Sequence, residues 1–91
     1  MFVIFRPPHR GTDGNWRVPD IYISAWLLAL GHSVLSIEAD EGKDGRWYFV
    51  FEATISFSRD YESFTRGEKI GIRRFLDAVY DLKSRVGDLR K

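Results

Sequence analysis

Residues 46–57 read Arg-Trp-Tyr-Phe-Val-Phe-Glu-Ala-Thr-Ile-Ser-Phe, an aromatic-rich run that alternates with period two. Extended backbone sends successive side chains to opposite sides, so Trp47, Phe49, Phe51, Ala53, Ile55 and Phe57 share one face. Arg46, Tyr48, Val50, Glu52, Thr54 and Ser56 share the other. The pattern predicts a sheet strand with one buried face. Upstream, Ser33 to Ala39 carries Val34, Leu35 and Ile37 and reads as a second strand. The intervening Asp40-Glu-Gly-Lys-Asp-Gly45 has turn composition, so 33–57 is expected to form an antiparallel hairpin.

Outward from that hairpin, Asp20 is placed to cap a helix over about 20–30, because its carboxylate can accept the free amides of the first turn. Ile23, Trp26, Leu27 and Leu30 share one face of it, yet Tyr22, Ala25, Leu28 and Ala29 leave only Ser24 clearly polar inside. Such a helix is expected to be covered on most sides. Gly31 closes it in a left-handed conformation, and His32 is the first residue outside. A second helix, which begins between Glu68 and Ile72 and runs to about Val86, carries Ile72, Phe75, Leu76, Val79, Leu82 and Val86 at helical spacing and stops at Gly87. The odd face of the aromatic strand is expected to meet this stripe. Between strand and helix, Tyr61 to Phe64 has the spacing of a short helical turn, and Thr65 with Glu68 spells a capping box.

Phe2 to Phe5 reads as a short edge strand ended by Pro7 and Pro8. Residues 9–18 show neither helical nor strand period and read as a mobile surface loop spanning about 7–18. The whole is expected to be one α+β domain over 1–91. A small antiparallel-rich sheet of about three strands packs on the two helices, and a frayed tail covers 87–91.

Ninety-one residues fit one domain, in which 15% aromatic content compensates for a small core. Net charge is +1, which excludes a generically basic nucleic-acid coat. The charge is segregated: residues 1–19 sum to +2, 20–57 to −4 and 58–91 to +3. Basic ends around an acidic middle predict a polarised surface if the ends meet in the fold. Absence of Cys excludes disulfides and thiolate chemistry. No run approaches the ~20 apolar residues of a membrane span, and Met1 to Phe5 is too short for a signal-peptide core. A cytoplasmic protein with no membrane partner is expected.

Candidate chemistry is sparse. Pro19-Asp20 with Glu41-Gly-Lys43 copies the letters of metal-dependent nucleases, but that chemistry needs its carboxylates on adjacent strands. Here one caps a helix and the other lies in a turn. Glu52 is better placed on a strand, yet Thr54 stands where a Lys would be required. His9 and His32 lie in separate loops, as a solvated residue and a helix-terminus residue that favours the dipole. Ser36 and Ser56 have no triad context. No catalytic residue, metal site or cofactor is expected, and a degenerate nuclease-like domain is the most distant reading.

Basic residues carry more. Arg6, His9, Arg10, Trp16 and Arg17 gather four phosphate contacts and a stackable ring in one loop. Arg73, Arg74, Lys83, Arg85, Arg90 and Lys91 decorate the last helix and tail. The expected nucleic-acid-binding residues are Arg6, Arg10, Trp16, Arg17, Arg73 and Arg74. The alternative is a protein-interaction or homodimer surface on which Tyr48, Val50 and the apolar surplus of the Ile21 to Leu30 helix bury against a partner.

Three segments also resemble a known family. Asp20-Ile-Tyr-Ile-Ser-Ala-Trp-Leu-Leu-Ala-Leu-Gly-His32, the strand Trp47-Tyr-Phe-Val-Phe-Glu52 and Arg73-Arg-Phe-Leu-Asp-Ala-Val-Tyr-Asp-Leu-Lys83 are similar to a small family of domains of unknown function from phages, mobile elements and prokaryotic genomes. The likeness spans about residues 20–86 and rests on structural motifs. It implies a small accessory protein, transfers no catalytic residues, and leaves the basic N-terminal loop outside its reach.

Overall fold

Extended and helical segments alternate along the chain in the order β1 (His9–Arg10), β2 (Trp16–Val18), α1 (Ile21–Ala29), β3 (Val34–Ala39), β4 (Trp47–Phe51), α2 (Phe57–Thr65) and α3 (Ile72–Leu89). The computed structural model describes residues 6–39 and 46–89. The expected Phe2–Phe5 strand, the Asp40–Gly45 turn and the last two residues of the tail lie outside them. Among these residues the fold is α+β: a four-stranded antiparallel sheet, ordered β1-β2-β4-β3, with three helices.

Among the described residues the sheet has two strands beyond those expected there, because residues 9–18 join it. Arg17 opposes Val50, and Val18 opposes Phe49. Strands of two and three residues are too short to display a period, so composition alone reads them as loop. Their turn is held by the Gly11 amide donating to the Asn15 carbonyl at 2.8 Å and by the Asn15 amide donating to the Asp13 carboxylate at 3.0 Å.

Register puts Trp16, Val18, Phe49 and Phe51 on one side of the sheet, with Val34 and Ile37 opposite them on β3. The core lies on that side and includes Val18, Ile23, Leu27, Phe49, Phe51, Phe57, Val79 and Leu82. The aromatic strand is shorter than its alternation predicts. It ends at Phe51, after which Ala53 and Ile55 are exposed. A strand continued to Phe57 would carry that ring roughly 20 Å from Phe51. The chain instead turns, with the Phe57 amide donating to the Thr54 carbonyl at 3.2 Å. The two rings lie 6.2 Å apart in the core.

Asp20 caps α1 as its position predicts, accepting from the amides of Tyr22 at 2.8 Å and Ile23 at 3.0 Å. At the other end the Gly31 amide donates to the Leu28 carbonyl and the His32 amide to the Leu27 carbonyl, a Schellman closure. Gly31 has φ of +103°. An added Cβ there meets no atom within 4 Å, so Gly31→Ala carries backbone strain alone. We expect a loss of about 1–2 kcal/mol, seen as a melting temperature lower by about 5–10 °C.

α1 is enclosed by its neighbours. Ile23, Ser24, Ala25, Trp26, Leu27 and Ala29 are all buried. Ser24 is accommodated because its hydroxyl donates to the Asp20 carbonyl at 2.8 Å. Trp26 Nε1–H donates to Ser63 Oγ at 2.9 Å, tying α1 to α2. The expected turn at Tyr61 to Phe64 is a nine-residue helix, amphipathic over too few residues to be separated from a turn by spacing. Thr65 ends that helix, its hydroxyl donating to the Glu62 carbonyl. Glu68 pairs with Arg66, so the expected capping box does not form.

α3 packs chiefly on α1, so the aromatic face of the sheet meets both helices rather than α3 alone. It continues through Gly87 to Leu89, beyond the expected stop at Val86. Ala78, Val79 and Leu82 are buried, but Ile72 and Leu76, expected in the stripe, are exposed. The cause is length: α1 spans about 13 Å and α3 about 27 Å. The shorter helix cannot cover the whole apolar arc.

A basic cleft as the candidate functional site

Six residues were expected to hold nucleic acid, and the fold separates them. Arg17 runs across the sheet's second face, paired with Asp13 beside it and with Glu38 on β3 at 3.3 Å. The hydrogen bond from Arg17 holds the Asp13 carboxyl below its ordinary range. Arg10 lies over the Trp16 ring, 5.2 Å from its centre, and Trp16 stacks on Phe57 at 4.6 Å and 8°. That indole packs the core edge and offers no open face for a base. Arg74 donates to the Ala29 carbonyl at 2.6 Å, closing the end of α1. Arg73 stays on the flank of α3. These placements correct the reading of 9–18 as a free basic loop: the cations there neutralise acids and cover rings.

The expected partner surface is corrected in the same way. Arg17 and Val50 oppose each other in register, so their side chains leave the sheet on the same side. Val50 is 2% exposed within the single chain. The aliphatic stem of Arg17 does what a partner would have done. Tyr48 is half-buried and meets His9 edge-on at 5.3 Å, so His9, exposed as expected, lies on a strand against a ring rather than in a loop.

Arg6 has a different setting. It donates to the Pro19 carbonyl at 3.5 Å and lines a cleft of about 530 Å³ with Arg46, Lys83, Trp47, Tyr22 and Val86. The three cations come from the segment before β1, the residue before β4 and the second half of α3. Arg6 of the N-terminal basic segment and Lys83 of the C-terminal one therefore line one cleft, the condition under which the charge segregation polarises a surface. Its floor is apolar, supplied by Ile21, Trp47, Phe49 and Val86. The lining carboxylate, Asp20, has Oδ1 engaged by two backbone amides and stands at the positive end of α1, which offsets its charge. Trp47 Nε1–H is buried and has no hydrogen-bond partner among the described residues.

Arg46 was missed in the sequence because only the tertiary fold brings it to the same cleft as Lys83, 37 positions away. Lys83 was legible as a basic residue on the last helix, without its neighbours.

A second, polar pocket of about 230 Å³ is lined by His32, Glu52, Thr54, Ser56, Arg59 and Asp60. His32 Nε2 lies 2.6 Å from Asp60 Oδ2, with side-chain exposures of 5% and 16%. Burial pushes the Asp60 carboxyl up, but hydrogen bonds from His32 and Arg59 outweigh it and hold the group below its ordinary range. His32 thus joins α1 to α2, a role beyond the dipole effect expected of it. Thr54 Oγ1 and Ser56 Oγ are 3.4 Å apart, and neither is engaged by the imidazole in a relay from base to hydroxyl. Among the described residues no three His, Asp or Glu side chains gather as a metal set. Among them, too, no helix is long and apolar enough to cross a membrane.

Comparison with family models, with curated proteins and with solved structures returns no match.

Proposed function

We propose that the chain is a non-catalytic accessory domain that binds nucleic acid in the Arg6–Arg46–Lys83 cleft and acts in the cytoplasm. The observation that carries this reading is the convergence of three cations from distant parts of the chain on one apolar-floored cleft. Nucleic acid combines the two chemistries such a cleft selects, anionic phosphate for the guanidinium and ammonium groups and flat ring surface for Trp47 and Tyr22. The resemblance of residues 20–86 to domains of phages and mobile elements is in keeping with an accessory role of this kind.

The test is a fluorescence-polarisation titration of labelled single- and double-stranded oligonucleotides at low salt. Binding should weaken as salt rises, with a log–log slope of about −2 to −3 for contacts to about three phosphates. Arg46→Glu combined with Lys83→Glu should weaken binding by at least about tenfold, and Arg10→Glu should leave it within about twofold. Absence of binding to either probe, or binding indifferent to the double reversal, overturns the reading.

A further inference from the structure

α3 leaves three large apolar side chains in solvent at a spacing of four: Ile72 is 70% exposed, Leu76 43% and Tyr80 67%. Residues four apart on a helix share a face, so these three form one stripe. Tyr22 of α1, 46% exposed and stacked on Phe75 at 6.5 Å, continues it sideways. The four together expose on the order of 400 Å² per copy. That falls within the ~300–600 Å² of the largest apolar patch on a typical soluble domain, a patch that is often functional, whereas singly scattered apolar residues are ordinary.

Charge around the stripe specifies what covers it. Arg73 and Asp77 lie on the same flank, one turn apart, beside Tyr80. Neither takes part in an ion pair among the described residues. Place a second α3 antiparallel across the first, with Leu76 meeting Leu76 of the other copy. A two-fold axis there sets Ile72 against Tyr80, twice. The same operation brings equivalent flanks together, so Arg73 of each copy comes within one turn of Asp77 of the other. The stripe and its charges are self-complementary in one orientation. We infer that the Ile72–Leu76–Tyr80 face of α3 is a homodimer interface, closed by two reciprocal Arg73–Asp77 pairs.

This surface adjoins the cleft through Tyr22, which lines both, but the inference does not depend on the nucleic-acid reading. About 400 Å² per copy is half the ~800 Å² per partner of a standard interface, which gives a weak dimer, with Kd on the order of 10–100 μM. Sedimentation equilibrium of the full chain without nucleic acid, from about 5 to 500 μM, should show mass rising from monomer to dimer. Leu76→Glu should hold it monomeric across that range. Arg73→Asp alone and Asp77→Arg alone should each raise Kd at least about fivefold by setting like charges together, and the double variant should restore it. Circular dichroism of each variant establishes that it is folded. A wild-type chain monomeric at every concentration overturns the inference, as does a dimer that survives Leu76→Glu or a charge swap that fails to restore association.

Discussion

Phe51→Ala is expected to destabilise the domain by about 3–5 kcal/mol. Its ring is fully buried, lies 6.2 Å from that of Phe57 and opposes both Trp16 and Val34 across the sheet. Removing it opens a void where β2, β3, β4 and the start of α2 meet, and the surrounding strands cannot collapse without breaking their register. For a chain of this size the loss lowers the melting temperature by about 15–30 °C. Thermal unfolding followed by far-ultraviolet circular dichroism measures it. Phe57→Ala should cost a comparable amount, and the two should be non-additive because the rings share one neighbourhood. An unchanged melting temperature in Phe51→Ala would remove this ring from the core.

The His32–Asp60 contact carries the next largest effect. Asp60→Ala leaves a nearly buried imidazole without its acceptor and is expected to cost about 1.5–3 kcal/mol at pH 7. Asp60→Asn keeps an acceptor and should cost less. Linkage gives the pH dependence its sign. The folded-state pKa of Asp60 lies below its unfolded value, so its stabilising contribution is fully present above about pH 4 and is lost as pH falls through the folded value. Urea unfolding of wild type and Asp60→Asn at pH 7 and at about pH 3 should therefore show a smaller gap between the two at acid pH. A gap that stays constant would mean that the carboxylate charge does not contribute.

Much of the architecture was legible in residue order. Asp20 as a cap, Gly31 as a closing residue and the antiparallel pairing of β3 with β4 each depend on local chemistry, which acts whatever the rest of the chain does. The candidate site was legible only in fragments. Arg6 and Lys83 could be recognised as basic, but the residues that fill the space around a cation decide whether it faces phosphate. Arg17 was spent on Asp13 and Glu38, and Arg74 on a helix end, by partners 4, 21 and 45 positions away. Trp16 was spent on Phe57 in the same way, 41 positions along.

The alternation of RWYFVF in residues 46–51 by itself determined that this protein has a sheet strand with one face in the core, though not that its other face is covered too, and helical spacing determined an apolar arc on the last helix. Both are periodicities of the backbone, fixed by local geometry. Tertiary structure decided where each pattern stopped mattering. The chain turns after Phe51 because Phe57 is more stable in the core than at the end of a longer strand. Val50 is buried because Arg17 crosses it, and Ile72, Leu76 and Tyr80 are exposed because α1 is half the length of α3. Burial depends on which elements are long enough and near enough to cover a face.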